Sequence, residues 1–143
     1  MAVPSSIVPS PRPAPVPEVY FETIFVVPLP PPVWPLTFAI VTAHNPHGAT
    51  VPEQANNQYD RALREYLEAE GISSFAVVGA SRDLTHHEGG RGIVLENLQT
   101  AAHISARFEQ KAFYWVDGGV VFLCIDGSGR GWEVGPWSQR LRP

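Results

Sequence analysis

Leu36-Thr37-Phe38-Ala39-Ile40-Val41-Thr42-Ala43-His44-Asn45-Pro46-His47-Gly48-Ala49-Thr50 reads as a strand, a polar turn and the start of a helix. Residues 36 to 43 are nearly all apolar, and the run is too short for a helix of its own. That suits a strand covered on both faces. Asn45-Pro46 breaks it, because the residue before proline is disfavoured in the right-handed α region. Thr50-Val51-Pro52-Glu53 then has capping-box spacing, with Thr50 as the expected N-cap and a proline in the first helical turn. The polar run thus faces a helix N-terminus, which attracts an anion, a carboxylate or a polarised carbonyl.

Outward from this stretch, periodicity predicts a helix over 52–70 with one apolar stripe: Ala55, Tyr59, Ala62, Leu63, Tyr66 and Leu67. Gly71 stops it. Residues 74–80 form a strand, 81–90 a polar loop, and 91–95 a short strand. A second helix over 97–109 turns Leu98, Ala101, Ala102, Ser105 and Phe108 inward, and His103 outward. Strands 111–116 and 120–125 make a hairpin about Asp117-Gly118-Gly119. An additional strand is expected over 19–27, joined by the connector 28–35.

Strand, helix, strand, strand, helix, strand is the order of a ferredoxin-like split β-α-β sandwich. Two helices would cover one face of an antiparallel sheet, with an added N-terminal strand and a C-terminal hairpin strand. The expected division is a proline-rich arm over 1–18, a single α+β domain over 19–126 and a glycine/tryptophan tail over 127–143. Eleven of the 15 prolines fall before residue 36, so the arm is expected to be extended or unstructured.

Composition narrows the function. A net charge of −4 with no basic cluster argues against nucleic-acid binding. A single cysteine, Cys124, lies in an apolar run and reads as a buried small hydrophobe in a reducing, cytoplasmic setting. No leader and no membrane span is expected, because prolines interrupt each apolar candidate. No G-x-x-x-x-G-K, G-x-S-x-G or Cys/His nucleophile pair occurs, and no cofactor is assigned. Gly127 to Gly131 follows a strand without opening a helix, so it is not a phosphate loop.

Chain direction through this fold brings three connections to one edge of the sheet. They carry Thr42, His44, Asn45, His47, Asn56, Asn57, Arg82, His86, His87, Glu88 and Gln110. Asn56 lies three before Tyr59 and seven before Leu63, which leans it toward the buried side, where an amide needs partners. Glu88 is a candidate general acid/base, or else an anchor for backbone N–H groups across Gly89-Gly90. Asn45 would orient a ligand amide or cap its own turn. Gln110 would bind a ligand or the last carbonyls of its helix. His44, His47, His86 and His87 with Glu88 could surround a divalent metal, but H-x-x-H in a loop lacks helical ligand spacing, and no metal site is assigned.

T-A-H-N-P (42–46), Asn56 or Asn57 before Leu63 and Leu67, Glu88 ahead of a short apolar strand, and F-E-Q-K-A-F-Y-W (108–115) resemble the motifs of a bacterial small-protein family. That family is known only as a domain of unknown function. The resemblance covers about residues 36–116 and implies a shared polar constellation of Thr42, Asn45, Asn56, Glu88 and Gln110. His44 stands where the family usually has a bulky residue. No reaction comes with the resemblance.

The expected function is the first of three competing readings. The first is binding of a small polar or anionic ligand at the edge formed by loops 43–50 and 81–90. Thr42, Asn45, Asn56, Gln110, His44 and His87 would bind it. The second is a metal-assisted hydrolase at the same edge, with Glu88 catalytic. The third is a protein-interaction module in which the proline-rich arm and Trp132/Trp137 meet a partner or a second copy of the chain.

Overall fold

The computed structural model describes residues 22–46, 50–125 and 131–142. The expected arm over 1–18, His47 and the glycine run 126–130 lie outside these residues. The elements are β1 (Ile24–Val26), β2 (Thr37–Val41), α1 (Glu53–Ala69), β3 (Ser74–Ala80), β4 (His87–Val94) and α2 (Leu98–Arg107). They continue with β5 (Ala112–Asp117), β6 (Val120–Ile125), β7 (Gly131–Pro136), α3 (Trp137–Arg140) and β8 (Leu141–Arg142). The protein is α+β. Its one mixed sheet has eight strands in the order β7-β6-β5-β2-β4-β3-β1-β8. Every pairing is antiparallel except β1 with β8.

β2 lies at the centre, as its uninterrupted apolar run requires. Its alternate residues serve two cores. Ala39, Val41 and Ala43 pack with Leu63 and Leu67 of α1 and with Leu98, Ala101 and Ile104 of α2. Phe38 and Ile40 pack on the other face with Phe25, Phe75, Val77 and Trp137. Of the expected α1 stripe only Leu63 and Leu67 are buried, and Tyr59 is exposed. Ile104, omitted from the expected inward face of α2, is buried, whereas Ala102 and Phe108 are only partly so. Cys124 is buried, and burial pushes its thiol up to about 12, so it is an inert core residue.

Three expectations need correction. β4 begins at His87, not at 91, and the connection before it is the turn 81–86. β3 and β4 pair from Ser74↔Ile93 to Ala80↔His87. Gly89 and Gly90 suggest a loop in sequence, yet with Gly92 they are strand residues whose missing side chains admit neighbours. A Cβ at Gly92 would lie 2.3 Å from the Phe75 ring, and one at Gly90 would lie 2.8 Å from the Val41 carbonyl.

Next, α1 has Pro52 at its N-cap and no side-chain cap, so Thr50 does not close a capping box; the Pro52 carbonyl accepts from the Ala55 and Asn56 amides. Finally, the C-terminal segment joins the sheet beyond the expected hairpin strand. β7 pairs with β6, β8 pairs with β1, and Trp132 and Trp137 are buried. Among the described residues no helix is long and apolar enough to cross a membrane.

Candidate functional site

The polar edge begins where β2 ends. Asn45 adopts φ 48°, a left-handed conformation that asparagine tolerates better than most side chains. Its backbone N–H donates to Asn56 Oδ1 at 2.8 Å. Its own Oδ1 accepts from the Val51 N–H and from Asn56 Nδ2, each at 3.1 Å. Asn45 therefore ties the strand to the entry of α1 rather than capping its own turn. Asn56 faces inward as its position in the helix requires, while Asn57 is exposed.

Two further ties hold the T-A-H-N-P turn. The Thr42 hydroxyl donates to the Gly89 carbonyl at 2.7 Å and accepts from the His44 N–H at 3.0 Å. Gln110 Nε2 donates to the His44 carbonyl at 3.0 Å and to the Phe108 carbonyl at 3.2 Å. The second of these is the helix-end bond expected of Gln110; the first joins α2 to the turn. Gln110 is placed by its own backbone, whose N–H closes the end of α2 on the Ser105 carbonyl at 3.0 Å.

Glu88 stands at the centre. Asn45 Nδ2 donates to its Oε2 over a long 3.5 Å. Among the described residues no backbone N–H across Gly89-Gly90 donates to it, which does not support the expected anchoring role. Burial raises its carboxyl pKa, opposed by the nearby His44 charge and by the polar neighbours Thr42 and Asn45. The His44 ring lies beside Gly89, where an added Cβ would sit 3.3 Å from ring carbon Cε1. A side chain there would press the imidazole back by a few tenths of an ångström.

The hydrogen-bond inventory sorts these residues. Asn45, Asn56, Thr42 and Gln110 bond chiefly to one another and to backbone, with Asn45 Nδ2 reaching Glu88. Glu88 keeps acceptor capacity, and His44 keeps an imidazole at the same place. Both border a cleft of about 770 Å³. Its apolar side is Phe25, Ile40, Val77, Tyr114 and Leu123 on the sheet, with Gly79 and Gly90 among them. Its polar rim includes His44, Asn45, Glu88, Gln110, Lys111, His86 and His87. Asn56 does not line the cleft and acts through Asn45. Arg82 is exposed and also outside the lining.

His86 and His87 are exposed. The turn that carries His86 and leads into His87 is held by Asp83, whose carboxylate accepts from Ser81 Oγ at 2.7 Å and Thr85 Oγ1 at 2.8 Å. Those bonds hold the Asp83 pKa down at about 2. Among the described residues no three His, Cys, Asp or Glu side chains gather closely enough to hold a metal. The sequence reading missed the sheet-borne side of the cleft altogether. Gly79 inside an otherwise β-branched and apolar strand was the available signal, since an interior strand glycine often marks a close approach.

Neither a curated protein nor a solved structure matches the chain. A family model described as "Protein of unknown function (DUF3293)" matches residues 41–113, about half of the sequence. All five converging residues, Thr42, Asn45, Asn56, Glu88 and Gln110, fall in that span, and the chain belongs to the DUF3293 family of proteins of unknown function.

Proposed function

We propose that the protein is a binding module for a small polar ligand, held in the cleft at the edge formed by the turn after β2 and the β3–β4 turn. One observation carries this reading. Of the convergent residues, Glu88 alone presents a carboxylate with unspent oxygens to a cleft of ligand size. The asparagines, Thr42 and Gln110 position it. A ligand with N–H or O–H donors, neutral or cationic, fits better than an anion, which the Glu88 charge would repel. The apolar sheet surface beneath would hold the rest of the molecule.

The ferredoxin-like arrangement belongs to the same proposal. Its support is the central order β5-β2-β4-β3, together with the shared core of α1 and α2. That topology delivers the ends of β2, β3 and α2 to one edge.

A thermal-shift screen of the full chain against amines, amides, amidines, polyols and amino acids tests the reading. A ligand at about 100 times its Kd adds roughly 2.7 kcal/mol, a shift of several degrees. The shift should vanish in Glu88→Gln. No shift with any donor-bearing compound would end the proposal.

A second reading, hydrolysis with Glu88 as acid/base, is favoured by the burial that raises its pKa. NMR of any bound compound during incubation separates the two: an unchanged spectrum is binding, and product peaks lost in Glu88→Gln are turnover. The interaction reading loses its tryptophans, since Trp132 and Trp137 lie in the core.

A further inference from the structure

The cleft contains a glycine that the fold does not need. At Gly90 a Cβ would strike the Val41 carbonyl, so glycine there is a packing requirement. Gly79 is different. Its φ lies outside the left-handed region, and a Cβ would meet only Thr23 Cγ2 at 3.6 Å and the Glu88 carbonyl at 3.8 Å, ordinary contacts. Glycine weakens a strand interior, so an unforced one leaves space for something else.

That space has a defined neighbour. Gly79 is the register partner of Glu88 in the β3–β4 ladder. Directly opposed residues share a face, with Cβ positions roughly 4.5–5.5 Å apart. A group lying on Gly79 is therefore beside the Glu88 carboxylate and in line with it. The nearby wall is aromatic: Phe25 and Tyr114 meet edge to face with ring centroids 5.0 Å apart, and both border the cleft.

We infer that the ligand carries a planar group with two adjacent N–H donors, an amidine, guanidine or amino-heterocycle edge, which lies flat over Gly79 and bonds both oxygens of Glu88. This rests on the cleft being the binding site and names the ligand's chemical class. A planar fork matches a carboxylate bidentately, and a flat group alone fits a strand surface cleared of its Cβ. A tetrahedral ammonium carries the same charge without that match.

The test uses the full chain and isothermal titration with benzamidine, benzylamine and phenylacetamide, which share a ring and differ in the head group. Benzamidine should bind at least about tenfold more tightly than benzylamine. Glu88→Gln should abolish that preference. Gly79→Ala should keep its melting temperature and weaken benzamidine about tenfold or more, with benzylamine affected less. Equal affinity of the two cations, both dependent on Glu88, would overturn the planar group and leave the cleft standing. Failure of benzamidine alongside Glu88-dependent binding of another donor compound would do the same. Absence of all binding, in this series and in the wider screen, would overturn both. The wild-type preference and Glu88→Gln decide the matter even if Gly79→Ala does not fold.

Discussion

The half-buried Glu88 has a cost for stability that depends on pH. Its carboxyl is held above the usual value of about 4.3, chiefly because burial penalises the charge. The folded chain thus holds that proton more tightly than the unfolded chain does. The favourable contribution is complete below about pH 4.3 and is lost as pH rises through the higher folded value. Glutamine does not titrate. Melting curves of wild type and Glu88→Gln between pH 4 and 8 should show the variant gaining on wild type as pH rises. A gap that stays constant across this range would mean the carboxyl is not shifted.

Asn56 makes the complementary case. Asn56→Ala strips partners from both the Asn45 N–H and Asn45 Oδ1. Chemical denaturation should report a loss of about 1–3 kcal/mol. Single residues of this kind were partly legible. The position of Asn56 on its helix face gave its inward lean, but nothing in the spacing of Asn45 foretold a left-handed backbone or a bond to Val51.

At the scale of elements, the two long helices end in the same way with different residues. α1 closes with the Gly71 N–H on the Glu68 carbonyl and the Ile72 N–H on Leu67. α2 closes with Glu109 on Ala106 and Gln110 on Ser105. Both turns require a left-handed residue, Gly71 at φ 69° and Glu109 at φ 60°. Gly71→Ala should cost about 1 kcal/mol. Glu109→Gly should relieve the same strain and, after the larger entropy loss of glycine, gain roughly 0.5 kcal/mol. Urea midpoints of the two variants should move in opposite directions; a loss in Glu109→Gly would show that its side chain contributes more than its backbone costs.

Gly71 as the helix stop was plain in the sequence, because glycine advertises a left-handed turn. The end of α2 is hidden for the converse reason, since a glutamate gives no such sign. The glycines of β4 disguise its first half as a loop. Their role depends on Phe75, Val41 and His44, residues distant in sequence that no local pattern connects to them.

For the whole molecule, the strand and helix order over residues 37–125 was readable because each element there has its own hydrophobic period. The C-terminal segment was not. β8 is two residues long and α3 four, too short to carry any period, and they are held by contacts with the opposite end of the chain. β8 pairs with β1, and Trp137 packs on Phe25, Trp34 and Phe38 at centroid distances of 5.4, 5.5 and 5.3 Å. This aromatic cluster does for one face of the sheet what the helices do for the other. Trp137→Ala should therefore destabilise the whole domain by about 3–5 kcal/mol, as a large core truncation does. Trp137→Phe should lie much closer to wild type, within about 1–2 kcal/mol. Its smaller ring leaves a void, but it also removes an indole N–H that is buried with no hydrogen-bond partner among the described residues. Urea unfolding followed by far-UV circular dichroism is the measurement, since it follows the sheet and helices rather than the mutated chromophore. If Trp137→Ala instead unfolds at the wild-type midpoint, the C-terminal segment is an appendage and the second core closes without it.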